Sequence, residues 1–269
     1  MEESLLEINH LDISFHQYFN WLNERKIDII QDLNLIVNKG EILVVFGASG
    51  SGKSLLAHAI LGLLPQNALV SGSMKYKGHA LNSDIIKKYR GKEISFIPQT
   101  VNSLNPLQKI KKQVRYSTEN IKKEKAILYK TLDRFGLDNR VLDLYPGQLS
   151  GGMARKILVS MSLINSPEFI IADEPTPGMD DVGLTYIIEY IQSVKNKGAS
   201  ALIISHDIMT SLKVADRIAI FDQGRIVEIA QPECFSGDGS LFKHQYSKDL
   251  WNALPENGFN LPLHRQKGD

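Results

Sequence analysis

The chain has 269 residues, enough for one large domain or two small ones. Hydrophobic residues make up 43% and charged residues 23%, with a formal net charge of +1, which is typical of a globular protein and gives no overall attraction to nucleic acid or membrane surfaces. The single cysteine, Cys234, excludes an intrachain disulfide and a thiolate metal cluster, so a reducing compartment is the simplest expectation.

The first third of the chain predicts an antiparallel β layer, then a strand, a glycine-rich loop and a helix. Residues 5–37 alternate apolar and polar positions, which is typical of two strands with one buried face. Residues 41–46 read as a buried strand, and apolar residues then recur at helical spacing from about 53 to 64, where Pro65 ends the predicted helix. Short strands are predicted near residues 72–76 and 93–97.

The rest of the chain predicts a helical insertion followed by a parallel sheet. Residues 106–166 are mostly helical and more charged, and a basic run at 109–125 is interpreted as a solvated helix face. Strands near 169–172, 201–205 and 217–221 then alternate with helices near 182–194 and 207–214, and an amphipathic helix follows Pro232. Such alternation favours a parallel sheet covered on both faces. Because no apolar run approaches the ~18 residues that cross a bilayer, any spanning is expected from other chains.

The glycine-rich loop at residues 47–54, here called the phosphate loop, matches the pattern G-x-x-x-x-G-K-[ST]. Glycines let backbone N–H groups approach phosphates, and the helix N-terminus that follows favours negative charge. We expect Lys53 to contact the β- and γ-phosphates of a nucleoside triphosphate and Ser54 to ligate Mg²⁺; a chance glycine-rich turn is the alternative. The candidate phosphate-binding residues are Gly47, Ala48, Ser49, Gly50, Ser51, Gly52, Lys53 and Ser54.

Two acidic residues, Asp173 and Glu174, close the predicted buried strand at 169–172. The carboxyl ends of parallel strands face the crevice where ligands bind in such sheets. Asp173 can hold Mg²⁺ through its water shell, and Glu174 can polarise an attacking water. The alternative is an acidic pair that merely ends a strand.

The ordered set of motifs resembles the nucleotide-binding subunit of ATP-binding cassette (ABC) transporters over nearly the whole chain. The Leu-Ser-Gly-Gly element at 149–152, here called the signature segment, is far more specific to this family than the phosphate loop is, because most phosphate-loop NTPases lack it. The resemblance implies an α/β fold: a P-loop NTPase parallel-sheet core, an N-terminal antiparallel β layer and an inserted helical signature subdomain at about 104–166. It further implies a nucleotide-binding domain over 1–235 and a short C-terminal extension over 236–269. In addition to the phosphate loop, the motifs that carry the resemblance contain Gln99, Ser150, Gly151, Gly152, Asp173, Glu174, Asp180 and His206.

The resemblance also implies roles for these residues around ATP and Mg²⁺. Ser150, Gly151 and Gly152 open a predicted helix and face the γ-phosphate bound by a second ABC ATPase subunit, so that two ATP molecules lie between two chains. Gln99 senses Mg²⁺ and water and links the site to membrane subunits. By the same resemblance, His206 is expected to contact the γ-phosphate and Asp180 is expected to be one of the nucleotide-binding residues.

The adenine ring usually stacks on an aromatic residue of the first strand in this family. Phe15 is the preferred candidate here, with Tyr18 and Phe19 as rivals. Packing of Phe15 in the core is the alternative interpretation.

Several stretches resemble the peptide and nickel importer branch, among them Ile97-Pro98-Gln99 followed by residues 103–106. The short chain and the single cysteine favour the nickel-type members. We therefore expect an ATP-hydrolysing subunit, peripheral on the cytoplasmic face of the membrane, that powers uptake of nickel or metal chelates through two permeases and an extracellular solute-binding protein. An oligopeptide or dipeptide importer is the alternative; a non-transport ABC ATPase and a non-catalytic regulator are more remote, and no nucleic acid partner is expected.

Three departures from the family pattern involve five residues. Arg155 and Lys156 stand where a Gln-Arg pair is usual, and lysine lacks the planar fork of arginine. Pro177-Gly178 replaces the usual residues of the turn before Asp180. Gly147 stands where a bulkier residue is common. Since none of these removes a catalytic group, an active enzyme is expected.

Overall fold

The computed structural model describes residues 3–20, 23–116 and 121–257. Within these ranges the chain forms ten strands: β1 (Ser4–Asn20), β2 (Asn23–Asn38), β3 (Ile42–Gly47), β4 (Ala68–Tyr76), β5 (His79–Ala80), β6 (Ile94–Ile97), β7 (Phe169–Asp173), β8 (Ser200–Ser205), β9 (Arg217–Asp222) and β10 (Arg225–Ala230). The same ranges contain eight α-helices: α1 (Lys53–Ile60), α2 (Ser83–Tyr89), α3 (Ile110–Tyr116), α4 (Ile121–Arg134), α5 (Gly151–Leu163), α6 (Asp181–Lys195), α7 (Ile208–Ser211) and α8 (Gln245–Asn252).

The N-terminal sheet is antiparallel, with the strand order β2-β1-β4-β5. Alternate positions of β1 are buried, including Leu6, Ile8, Leu11 and Ile13, as the apolar–polar alternation of this segment predicts. The antiparallel layer expected at the start of the chain is therefore confirmed.

The second sheet has the order β10-β9-β3-β8-β7-β6. All neighbours from β9 to β6 run parallel, which confirms the predicted parallel sheet, whereas β10 pairs antiparallel with β9 in a hairpin that the sequence did not predict. The parallel pairing brings the carboxyl ends of β3, β7 and β8 to one edge, where the phosphate loop continues from β3, Asp173 ends β7 and His206 follows β8.

Three apolar clusters hold these layers together. The first joins the antiparallel sheet to α1 and one face of the parallel sheet, and the second covers the other face, where Phe235, Phe242 and Trp251 of the C-terminal region pack near Phe46. A third cluster lies within the helical region from Leu104 to Ile164. The boundaries of the helical subdomain and of the C-terminal extension stay predictions.

Two helices are shorter than the sequence pattern predicts. α1 ends at Ile60 because Gly62 adopts a φ of +61° and the N–H groups of Gly62 and Leu63 donate back to Ala59 and His58, which forms a Schellman cap. Similarly, α7 spans only Ile208–Ser211 of the helix expected at 207–214. Across the described ranges, no helix combines the length and apolarity that crossing a bilayer requires.

Candidate functional site

The phosphate loop connects β3 to α1, and its lysine is folded back onto it. The Nζ of Lys53 donates to the carbonyl oxygens of Gly47 (2.9 Å) and Ala48 (2.6 Å) and lies 3.3 Å from Ser51 Oγ. Only 5% of Lys53 is exposed, and this burial lowers the pKa of its ammonium, against the opposing charges of Glu174 and Asp173. The loop therefore fixes a positive charge at its centre.

Glycine is required at two positions of the phosphate loop. A Cβ on Gly47 would lie 2.2 Å from the carbonyl oxygen of Phe221 on β9, and one on Gly52 would lie 2.9 Å from Ile29 Cγ2. Gly52 also has a φ of +106°, which L-residues with side chains rarely adopt. The neighbouring strands thus leave room for backbone only, as a close approach of N–H groups to phosphates demands.

An oxygen pair that fits Mg²⁺ lies beside the loop. Ser54 Oγ donates to Asp173 Oδ1 at 3.1 Å, across 119 residues of sequence. Asp173 is 1% exposed, and burial raises the pKa of its carboxyl, while the Ser54 hydrogen bond and the Lys53 charge oppose that rise. Hydroxyl and carboxylate oxygens are the donors that Mg²⁺ prefers, so these two residues fit the predicted ion.

Glu174 is held in an unusual backbone conformation next to His206. Its φ is +48°, and its N–H donates to the carbonyl of Ile204 on β8 at 2.9 Å. His206, two residues after Ile204, brings Nδ1 to 2.7 Å from Glu174 Oε2; the pair approaches closely without the alignment of a regular hydrogen bond. The Glu174 side chain is 8% exposed and that of His206 59%, so the histidine is the solvent-facing member.

The signature segment lies apart from the phosphate loop of its own chain. Ser150 caps α5, its Oγ accepting from the Met153 N–H at 3.2 Å, and Ser150 and Gly151 are exposed. None of the hydrogen bonds or ion pairs of the described residues joins this segment to the phosphate loop. A Cβ on Gly152 would instead lie 3.1 Å from the carbonyl of Gly178, in the turn that precedes Asp180.

That turn has the residues of a type II β-turn. Pro177 and Gly178 are its central residues, Gly178 has a φ of +76°, and the Met179 N–H donates to the Thr176 carbonyl at 3.2 Å. The departure seen in the sequence thus produces a regular hydrogen-bonded turn.

Asp180 is tied to the signature helix through Lys156. Its Oδ2 lies 2.8 Å from Lys156 Nζ, its Oδ1 accepts from the Gly183 N–H at 2.9 Å, and the Lys156 hydrogen bond lowers the pKa of the Asp180 carboxyl. Lys156 Nζ also donates to the carbonyl of Phe135 at 3.0 Å. A single ammonium thus links α5, the end of α4 and the start of α6.

The remaining predicted residues, Gln99 and Phe15, take part in none of the contacts described above. Gln99 follows β6 and is exposed. Phe15 is half-buried against the first apolar cluster, and its stacking role stays a prediction; the side chains of Tyr18 and Phe19 lie outside the described part.

Two features beside the site were not predicted. Arg155 donates from α5 to main-chain carbonyls on two of the site's loops, although the sequence marked it only as a departure. A cavity of about 290 Å³ also adjoins His206 and the phosphate loop, with Leu250 and Leu254 of the C-terminal region in its wall. Their apolar, helix-spaced pattern predicts burial, but it does not identify what they face.

Sequence comparisons identify relatives across most of the chain. A family model described as ABC transporter matches residues 30–177. The oligopeptide transport ATP-binding protein OppD of Lactococcus lactis subsp. cremoris (strain SK11) is 31% identical, over 94% of this chain and 76% of its own length. The metal-staphylopine import system ATP-binding protein CntD of Staphylococcus aureus (strain NCTC 8325 / PS 47) is 32% identical, over 84% and 85%.

Solved structures share the architecture. An ATP-binding subunit of an ABC transporter superposes with a TM-score of 0.72 at 25% identity, over 86% of this chain and 91% of that one. The dimeric post-hydrolysis structure of the ATP-binding cassette MJ0796, bound to ADP and Pi, gives a TM-score of 0.71 at 22% identity, over 85% and 99%.

Proposed function

The chain belongs to the ABC transporter family of ATPases, and from this premise we propose that it hydrolyses ATP to drive import through partner permeases. Its family and its ABC ATPase fold are those that the motifs predict. The observation that carries the proposal is the convergence of Lys53, the Ser54–Asp173 pair and the Glu174–His206 pair at one sheet edge.

The residues at this edge suit phosphoryl transfer to water. Lys53 would exchange its loop carbonyls for the β- and γ-phosphate oxygens, and Ser54 and Asp173 would hold Mg²⁺. The bound ion supplies positive charge that neutralises the phosphates. Glu174 would orient the attacking water and accept its proton, while His206 contacts the γ-phosphate. Such catalysis is almost entirely positioning and electrostatics.

A second chain is needed to complete each site in this proposal. The exposed signature segment, open at the start of α5, offers N–H donors and a favourable helix dipole to a phosphate that its own chain does not bind. A dimeric relationship of this kind is supported by the dimeric structure of MJ0796. The partner is a second ABC ATPase subunit, identical or related.

Mixing two inactive variants tests whether the two half-sites lie on different chains. Lys53→Ala removes the phosphate contact, and Gly151→Asp puts a negative charge at the signature segment, where a Cβ would have nothing within 4 Å. In a mixed dimer one site carries both changes and the other carries neither. We expect each variant alone to be inactive and their mixture to regain hydrolysis. A dimer formed from one copy of each variant has one intact site, so its rate should reach up to half that of the wild-type dimer. A mixture that contains such dimers but hydrolyses no ATP would contradict the two-chain site.

The proposed cargo is a metal chelate, such as a nickel chelate. CntD, a metal-staphylopine import protein, is 32% identical and is covered over 85% of its length. An oligopeptide is the second candidate, because OppD is matched at 31% identity over 94% of this chain. The proposal includes two permeases, an extracellular solute-binding protein that selects the cargo, and a peripheral position on the cytoplasmic face of the membrane.

Uptake measurements separate the two cargoes. Cells that lack this chain would be compared with cells expressing it, or its Glu174→Gln variant, for uptake of radioactive nickel with a chelator and of a labelled oligopeptide. Loss of metal uptake alone supports the first proposal, and loss of peptide uptake alone supports the second. If both persist, the import proposal is wrong.

A further inference from the structure

Helix α5 carries a buried arginine that forms no ion pair with a carboxylate among the described residues. Arg155 is 4% exposed, and its guanidinium donates instead to two backbone carbonyl oxygens. Burial lowers the pKa of Arg155, against the opposing effect of Asp173 and Glu174. Burying a cation costs free energy unless the cation is hydrogen-bonded, so the two carbonyl contacts are what make the burial of Arg155 tolerable.

The two acceptors belong to the two loops that carry proposed catalytic residues. Nη1 donates to the carbonyl of Pro98, the residue before Gln99, and Nη2 donates to the carbonyl of Glu174 itself at 2.7 Å. The loops follow β6 and β7, which are parallel neighbours in the sheet. The planar fork of arginine can reach both carbonyls at once, which a single ammonium does poorly.

The contact with Glu174 has a further consequence. At a φ of +48° this residue occupies the left-handed region, which is unfavourable for a side chain with a Cβ. Its N–H is held by Ile204 and its C=O by Arg155, so both main-chain groups are fixed. The side chain is thereby held toward His206.

We propose that Arg155 is a positioning residue that sets the orientation of Glu174 and the place of the Gln99 loop for hydrolysis. The inference rests on the proposed function and adds a residue to it. Because Ser150 and Gly151 open the same helix, Arg155 also connects the segment offered to the partner chain with the catalytic loops of its own chain.

Two substitutions test this role in the complex with the partner subunits. Arg155→Met keeps much of the length and removes the donors, so we expect kcat to fall by about 10²-fold, the cost of a misplaced catalytic group, with KM for ATP nearly unchanged. Arg155→Gln returns a planar amide with two N–H donors, so its kcat should be at least tenfold higher than that of Arg155→Met. Ser160→Ala, which deletes a buried hydroxyl on the same helix that donates to the Lys156 carbonyl, is the matched control and should keep wild-type kcat.

The outcomes separate positioning from folding and from the proposed function. Wild-type kcat in Arg155→Met overturns the inference, and so does a loss of ATP binding that Arg155→Gln does not reverse. If Arg155→Met does not fold, Arg155→Lys replaces it, since it keeps the charge without the fork; wild-type kcat would then be the contrary result. A wild-type complex that hydrolyses no ATP contradicts the proposed function instead.

Discussion

Two glycine-rich helix starts in this chain differ in what surrounds them. The phosphate loop before α1 is exposed at its tip, Ala48 to Gly50, but enclosed at its base: Lys53 is buried against its carbonyls, and β9 leaves no room for a side chain at Gly47. The signature segment before α5 is open, with nothing within 4 Å of a Cβ at Gly151 and with Ser150 exposed. Both starts present N–H donors, but only the first lies beside proposed catalytic residues of its own chain.

This difference shows how one chain can hold two unequal half-sites, each belonging to a different site of the proposed dimer. The enclosed half fixes charges in advance, which strengthens their action on a bound phosphate because little water screens them. In the described part of the chain the open half has its own Ser150 cap and no acidic residue in the first turn of α5, so its action on a phosphate depends on docking. Substitutions in the enclosed half should therefore affect folding and chemistry, and those in the open half chemistry alone.

The largest effect is expected at Glu174, the buried carboxylate whose charge acts on Lys53 of the enclosed half. Glu174→Gln keeps the size of the side chain but removes the base, so turnover should fall by roughly 10²–10⁴. ATP should still bind and the ATP-bound dimer should accumulate, which size-exclusion chromatography with ATP measures. Asp181→Asn removes an exposed carboxylate at the start of α6 and serves as the control with unchanged turnover. Near-normal turnover of Glu174→Gln would exclude Glu174 as the base.

A pair of glycine substitutions compares the two halves directly. Gly47→Ala forces a methyl group to 2.2 Å from the Phe221 carbonyl, so the free energy of unfolding should fall by about 1–3 kcal/mol through overpacking. Gly151→Ala meets open space and should change it by less than about 0.5 kcal/mol, as surface substitutions usually do. Urea unfolding of both variants measures the difference; equal losses would show that the halves are enclosed alike.

A smaller effect is expected in the turn that contacts the signature segment. Gly178→Ala has free space around it, but its φ of +76° imposes a conformational cost of about 1 kcal/mol on an L-residue. Gly147→Ala, equally open and without a positive φ, should be neutral. A thermal melt that ranks Gly147→Ala as the more destabilised variant would contradict the turn assignment.

The sequence predicted where the proposed site residues lie in the fold better than it predicted the contacts that hold them. Strand–loop–helix order and motif spacing identified the groups at the carboxyl ends of β3, β7 and β8, because these depend on local pattern and parallel topology. The end of α1 is set by Gly62, whereas the pattern favours the nearby Pro65 as the stop. The role of Arg155 is not visible in its local sequence, since its acceptors, Pro98 and Glu174, are brought to it only by tertiary folding.

The smallest expected effect is a pH dependence at Asp180. Lys156 lowers the pKa of this carboxyl in the folded chain, so the unfolded chain takes up the proton at a higher pH. The stabilising contribution is therefore complete above the unfolded pKa of about 3.9 and disappears as the pH falls through the lower, folded pKa. A double-mutant cycle of Asp180→Asn and Lys156→Met, measured by urea unfolding, should give favourable coupling at pH 7 that declines on acidification below about pH 4. Because Asp180 is 59% exposed, solvent screens the pair and the coupling should be weak. Coupling near zero at every pH would show that Lys156 acts through the Phe135 carbonyl alone. A favourable coupling that stays constant from pH 7 down through the acid range would show that the link from α5 to the Asp180 turn does not depend on the Asp180 charge.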